Sequence, residues 1–328
     1  MELHTATTAM LCMLAAGALI VPAGLTSAQQ PYPDKPIRLI SPFAPGGGND
    51  IMARMLAQKL TESWGKQVIV DNRPGGNTVI GTEALVKSPP DGYTLLLAGS
   101  AHVTTPLLVR TPYDAIRDFS PVTTLGASEL ILVANASLPA ATLQELIALA
   151  RSKPGALNFA SSGNGGTPHL AGEQMNIMAG INMQHIPYKG IGPAVIDLIS
   201  GQVQLAFSPA INFMPHIISG KLKAIAVSGD KRLPALPQVP TFAEAGLPGF
   251  TATNWYGVLA PAGSPRQVIA KLSGEIGRIM LSPDIRGKLA SQGTDPFVTT
   301  PEQFAALIKA DMARYAKIIK AAHIRAEN

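Results

Sequence analysis

Side chains able to do chemistry are sparse in this sequence and cluster just after glycine-containing turns. Ser100 and His102 follow Gly99, and Ser161, Ser162, Asn164, Thr167 and His169 surround the glycines at 163, 165 and 166. Lys189 stands in Pro187-Tyr188-Lys189-Gly190. A serine near a histidine suggests acyl transfer, but Ala98 and His102 fall where a nucleophile elbow needs its flanking glycines. His169 and Glu173 lie one helical turn apart, yet no HExxH or second close histidine completes a zinc site. These residues therefore read as polar cleft or surface groups, with no catalytic set and no metal site. His102 and His169 keep their interest because both follow candidate binding turns. Lys189 reads equally well as a cation facing an anion or as a solvated loop lysine.

The turns themselves carry the stronger signal. Three follow strand-like runs and open helical stretches: residues 44–49 with Gly46, Gly47 and Gly48, residues 72–78, and residues 161–166. A helix N-terminus offers unpaired N–H groups and about half a positive charge, which suits a carboxylate or phosphate without any Lys or Arg. Glycine lets a ligand approach that backbone closely. A single such turn could equally be only a tight connection; three of them, two early and one late, favour a cleft between lobes. Gly46 to Gly48 lacks the Lys and Ser or Thr of a P-loop. Pro168 stands where a dinucleotide fingerprint wants Gly or Ala. No nucleotide or other cofactor is expected.

The elements that must position these turns alternate. Strand-like runs 37–43, 68–70 and 93–98 are each followed by a turn; helical periodicity over 51–60 and 79–87 follows the first two. Thr142 and Glu145 form a capping box for a helix over 143–152, and a second domain is expected to start nearby. Further strands are read at 157–160, 203–207, 224–227 and 255–260, with helices at 167–179 and near 215–219. Ser264 with Pro265 and Gln267, and Thr300 with Pro301 and Gln303, signal two closing helices. In the second, Phe304, Leu307, Ile308, Met312, Tyr315 and Ile319 form one core-facing stripe. The pattern predicts an α/β fold with largely parallel sheets, whose ligands bind beyond the carboxyl ends of the strands.

Composition narrows the function classes. The 328 residues carry 26 Lys and Arg against 21 Asp and Glu, a formal charge of +5. Residues 1–28, with an apolar run from Ala9 to Leu25 and small residues up to Ala28, read as a secretory signal although no Lys or Arg precedes the run. Its removal takes away one acidic residue and brings the charge to about +6, a balance that suits an anionic ligand. The only cysteine, Cys12, falls in this segment, so the exported chain would hold no disulfide. Scattered basic residues and few aromatics argue against nucleic acid. About 300 residues suggest two domains, and no later apolar run is long enough to span a bilayer.

Several stretches in order resemble the Bug-type solute receptors of the tripartite tricarboxylate transporter system. They include Tyr32-Pro33-Asp34-Lys35-Pro36-Ile37, Pro42-Phe43-Ala44-Pro45-Gly46-Gly47, Pro90-Asp91-Gly92-Tyr93-Thr94-Leu95-Leu96, Pro187-Tyr188-Lys189-Gly190 and Leu259-Ala260-Pro261-Ala262-Gly263. The resemblance implies a type II periplasmic-binding-protein fold, with two α/β lobes and a ligand cleft between them. Lobe 1 would comprise 29–126 plus 252–328, and lobe 2 would comprise 127–251. It implies a periplasmic monomer that binds a small carboxylate and delivers it to membrane permease subunits. A receptor docking on a sensor kinase and an exported hydrolase are the alternatives. Family practice places the ligand at Phe43, Ala44, Gly47, Gly48, Thr78, Ser161, Ser162, Asn164, Thr167 and His169. Where the family often reads Gly-x-Val-Asp-x-x-Phe-Asp, this chain has Gln204 and Ser208 in place of the two carboxylates, which argues against an amine-bearing ligand. Ser208, with Ser100, His102 and Lys189, completes the expected site.

Overall fold

The computed structural model describes residues 32–321; the expected signal segment 1–28, with Cys12, lies outside them. The first part of the chain runs β1 (Ile37–Ser41), α1 (Gly48–Trp64), β2 (Val68–Asn72), α2 (Val79–Val86), β3 (Thr94–Gly99) and α3 (Ala101–Leu108). The long strand β4 (Phe119–Asn135) then leads to α4 (Leu143–Ser152), β5 (Asn158–Ser161), α5 (Thr167–Ala179), β6 (Gln184–Pro187) and α6 (Ile191–Ser200). β7 (Leu205–Pro209), a single 3-10 turn (Ala210–Asn212), α7 (Met214–Ile218) and β8 (Leu222–Val227) complete that half. The chain returns through β9 (Thr253–Pro261) to α8 (Arg266–Met280), α9 (Pro283–Ser291), β10 (Asp295–Pro296) and α10 (Pro301–Ala321).

The strands are apolar at nearly every position because both faces of the sheet are covered. In β3, Leu95 and Leu97 face the core under α1 and α8, while Leu96 and Ala98 face the core under α3 and α10. β4 repeats the device, with Leu130, Leu132 and Ala134 on one face and Ile131 and Val133 on the other. Four apolar clusters thus flank one sheet.

Its order is β2-β1-β3-β9-β4-β7-β5-β6, with β8 and β10 also paired to β4. The arms are parallel, as expected: β2-β1-β3 on one side and β7-β5-β6 on the other. The centre is not. β9 runs antiparallel to both β3 and β4, and β4 runs antiparallel to β7, β8 and β10. β4 carries the chain out of the first lobe and β9 brings it back, so the two crossings lie side by side in opposite directions.

From Phe119 to Glu129, β4 pairs with β9; from Leu130 to Asn135 it pairs with β7 and β8. Ser228 pins this change of partner. Its Oγ accepts from Leu130 N at 2.9 Å, and its N–H donates to Leu130 O at 2.8 Å. Glu129 sits beside it, accepting from the Ser228 and Thr253 hydroxyls at 3.2 Å, and burial pushes its carboxyl above the usual carboxylate value.

Both capping boxes form as the sequence predicts, at Thr142 with Glu145 and at Thr300 with Gln303. Ser264 departs from its expected role. Pro265 is the residue that caps α8, and the Ser264 hydroxyl donates to the Pro261 carbonyl at 2.8 Å. The helix instead begins on the fixed φ of proline, which is already compatible with its first turn.

Candidate functional site

The turns after β1, β5 and β7 face one another and line an inner cavity of about 50 Å³. Phe43, Gly47, Gly48, Ser162, Thr167 and Ser208, all anticipated from sequence, line it, and Ile191 adds an apolar wall. None of its lining residues is Asp, Glu, Lys, Arg or His. Any charge bound here would be met by dipoles and hydrogen bonds alone.

The strongest of these dipoles belongs to α1, a 17-residue helix capped by Gly47 in extended conformation. The first N–H groups of a helix have no partner within it, and its N-terminus carries the positive end of the macrodipole. The turn leading into it is braced from its own lobe. Asn49 accepts from the Ser41 hydroxyl at 2.7 Å and donates to Leu97 O at 3.1 Å, tying the helix start to β1 and β3. Asp50 accepts from Gly46 N, Arg54 Nε and Asn72 Nδ2 at 2.9–3.1 Å. Burial works against its ionisation, but these hydrogen bonds prevail and hold its carboxyl below the usual value.

Glycine is required at the helix start for reasons of space. A Cβ on Gly48 would lie 2.7 Å from Tyr256 Oη and 2.8 Å from Ile211 Cγ2. One on Gly47 would lie 3.1 Å from Ile191 Cγ2. Contacts to the opposite lobe follow from this closeness: Gly48 N donates to Asn212 Oδ1, and Ala44 N donates to Lys189 O at 3.0 Å.

A second, outer cavity of about 190 Å³ shares Phe43 and Ser162 with the first and adds Thr78, Asn164 and Lys189. Lys189 stands exposed at its rim. Asn77 and Thr78 adopt left-handed backbone, with φ of 54° and 76°, which is costly for a branched residue such as threonine. This conformation turns the Asn77 amide across the mouth to donate to Asn164 O.

The remaining anticipated residues stand behind the turns. Ser100 is fully buried, and its Oγ accepts from Trp255 N at 3.1 Å, pinning β3 to β9. His102 is buried against the Phe119 ring, with Nε2 donating to Ala115 O at 2.8 Å; burial lowers it to about 4, so it is neutral. Ser161 Oγ donates to Gly163 O at 3.0 Å and lies 2.6 Å from His185 Nε2. His169 Nδ1 accepts from Gly165 N at 2.9 Å, and its ring stacks on His185 at 3.8 Å. Burial lowers His169 to about 4, and burial together with the neighbouring ring lowers His185 to about 3. A neutral His169 forms no ion pair with Glu173, whose nearest oxygen is 3.7 Å away. The Ser161 and His185 pair resembles a nucleophile and its base, but Ser161 is fully buried and its hydroxyl is spent on the turn. It shapes the loop, donating to Gly163 O and accepting from Gly163 N.

Residues 52–324 match the family model described as the tripartite tricarboxylate transporter family receptor. The chain belongs to this family. The protein BugT of Bordetella pertussis is 38% identical over 309 residues, which is 93% of this chain and 95% of that one. A R. palustris protein solved with adipate is 33% identical and superposes with a TM-score of 0.87 over 90% of this chain and 99% of the other. MatC of Rhodopseudomonas palustris, solved with bound malate, is 28% identical, with a TM-score of 0.83 over 88% of this chain and all of that one. The family is one of solute receptors, not enzymes, and the fold is the type II binding fold of two lobes around a cleft. Among the described residues no group of His, Cys, Asp or Glu is placed to hold a metal, and no helix is long and apolar enough to cross a membrane.

Asn212, Asn254 and Tyr256 also line the inner cavity, and sequence reasoning missed them. Asn212 carried a usable signal, since it lies just past the carboxyl end of the strand read at 203–207, where the same topological rule applies. Asn254 and Tyr256 carried none. They arrive through the antiparallel register that sets Tyr256 opposite Gly99. Gln204, by contrast, stays away from the cavity and ties β5 to β7 by accepting from Asn158 N at 3.0 Å.

Proposed function

We propose that this receptor captures a small carboxylate in the periplasm and hands it, as a monomer, to the membrane permease subunits of a tripartite tricarboxylate transporter. One observation carries the ligand class. The N-terminus of α1, with buried glycines, opens on a cavity whose walls hold no charged side chain. A carboxylate there would accept backbone N–H groups and lie in the helix field, while an ammonium would face that field with the wrong sign. The relatives solved with adipate and malate support this reading.

The ligand is held between lobe 1 (residues 29–126 and 252–328) and lobe 2 (127–251), and the hinge lies where β4 changes partner, at Glu129 and Leu130. An inner cavity of about 50 Å³ is far below the roughly 300 Å³ or more usual for a ligand site, so entry needs the lobes to part. Calorimetric titration with adipate and with malate, in the presence of a chelator, tests the reading. We expect one-site binding of at least one of them, unchanged by the chelator. Loss of binding on chelation, or binding only of cationic or neutral solutes, would overturn it.

A further inference from the structure

Across the inner cavity from α1 stands Asn212, the last residue of the single turn that follows β7. Its side-chain nitrogen is committed within its own lobe, donating to Ser208 Oγ at 2.7 Å and to Pro209 O at 3.2 Å. Those two bonds fix which way the amide faces. Oδ1 is turned toward the other lobe, where it accepts Gly48 N–H. Gly48 is the first residue of α1, so an oxygen with partial negative charge sits at the positive end of the helix, in the position an anion would take.

The surrounding contacts show how closely the lobes meet at this point. A Cβ on Gly192 would lie 2.4 Å from Pro45 O, and one on Gly190 would lie 3.1 Å from Ala44 N. Glycines on both sides permit the approach, and Asn212 supplies the side-chain acceptor that joins them.

We propose that Asn212 is a built-in latch: its amide oxygen stands in for a carboxylate oxygen at the α1 N-terminus, holds the lobes together, and is displaced when cargo binds. The inference rests on the carboxylate reading for the identity of the displacing group, but the latch itself does not. Two consequences follow. Removing the oxygen loosens the closed form and frees Gly48 N–H for cargo. Replacing the amide by a carboxylate gives up the two bonds donated to Ser208 and Pro209, offers Gly48 N–H a charge-assisted partner, and sets a like charge against the incoming anion.

The test compares wild type, Asn212→Ala and Asn212→Asp at pH 7.5, each stripped of bound solute by unfolding and refolding. Small-angle scattering of the stripped proteins should show a larger radius for Asn212→Ala than for wild type. With adipate as the probe, Asn212→Ala should bind as tightly as wild type or more tightly, whereas Asn212→Asp should weaken binding by about 100-fold or more, the size expected for juxtaposed like charges. Asn212→Ser, too short to reach Gly48, repeats the first arm if the alanine variant is unstable. An unchanged radius in the folded short-side-chain variant would overturn the latch. So would a loss of adipate affinity there as large as in Asn212→Asp, since that would make Asn212 a ligand donor. If wild type binds no adipate, the carboxylate reading fails for that probe, and the scattering comparison still decides the latch.

Discussion

Two glycine turns face each other across the same cavity, and they are braced by different chemistry. The turn of residues 42–47 is held by an ionised carboxylate, Asp50, which gathers Gly46 N–H, Arg54 and Asn72. The turn of residues 161–166 is held by neutral groups, with the His169 imidazole accepting Gly165 N–H and Ser161 lying against His185. Their steric tolerance differs as well. Gly48 has no room for a methyl group, whereas a Cβ on Gly166 would find nothing nearer than 3.6 Å at a φ of −67°. The first turn is an anchor whose helix start, at Gly48, has no room for a side chain. The second is a support whose strength depends on two imidazoles staying uncharged.

The largest effect that would sharpen this contrast is steric. We expect Gly48→Val to abolish detectable carboxylate binding, a loss of several kcal/mol if about two charge-assisted hydrogen bonds at roughly 1.5–3 kcal/mol each are blocked. Gly166→Ala, at the equivalent helix start in the other lobe, should cost less than about 1 kcal/mol, because the backbone there is already one that alanine adopts. Calorimetry on variants shown by circular dichroism and thermal melting to be folded makes the comparison. Equal losses from both substitutions would erase the distinction between anchor and support.

How much of this was legible in the sequence depended on whether the signal was local. Glycine turns, capping boxes and apolar runs are set by neighbours along the chain, so the helix start at Thr167 and the caps at Thr142 and Thr300 could be read directly, whereas α1 begins at Gly48, inside the stretch 44–49 that reads as a turn. The contact of Asn212 with Gly48 spans 164 residues and depends on how two lobes close. The placement of Tyr256 depends on the register between β3 and β9. His102 and His169 looked alike in sequence, each just past a binding turn. The fold then buried His102 against Phe119 and set His169 under Gly165. Apolar spacing marks the buried stripe of a helix such as α10, but which partner from elsewhere in the chain covers a single histidine at a helix start is not written in its local sequence.

An effect of intermediate size would separate the two braces by pH. His169 is pushed down by burial from 6.5 to about 4, so its stabilising share is complete above pH 6.5 and is lost as pH falls from there toward 4. His185 follows the same sign with a lower end near 3. Asp50 is held below 3.8, so its share survives until pH falls beneath that value. Hydrogen exchange, corrected for the intrinsic pH dependence of the rates, should show amides 161–166 losing protection between pH 6.5 and 4 while amides 44–50 keep theirs. In His169→Asn, which retains an acceptor near the Nδ1 position but cannot titrate, that loss should shrink. Simultaneous opening of both turns would mean that global acid unfolding, and not the imidazole brace, sets the response.

The smallest effect concerns the charge that first drew attention in the sequence. Lys189 is exposed at the rim of the outer cavity, and its contribution to closure is made by its backbone oxygen, which accepts Ala44 N–H at 3.0 Å. Lys189→Ala keeps that bond and removes only the ammonium group. A charge in contact with water acts through a high dielectric and is screened within about 8–10 Å by physiological salt. We therefore expect the variant to lose about 1 kcal/mol or less, roughly fivefold or less in affinity. The loss should fall mainly on the association rate and shrink as salt is added, because a rim charge steers an approaching anion more than it holds a bound one. Stopped-flow binding of adipate at two ionic strengths reads both quantities. The decisive case is the paired one. If folded Lys189→Ala lost binding while folded Gly48→Val kept it, a side-chain charge would be holding the anion, and the helix N-terminus would no longer be the anchor.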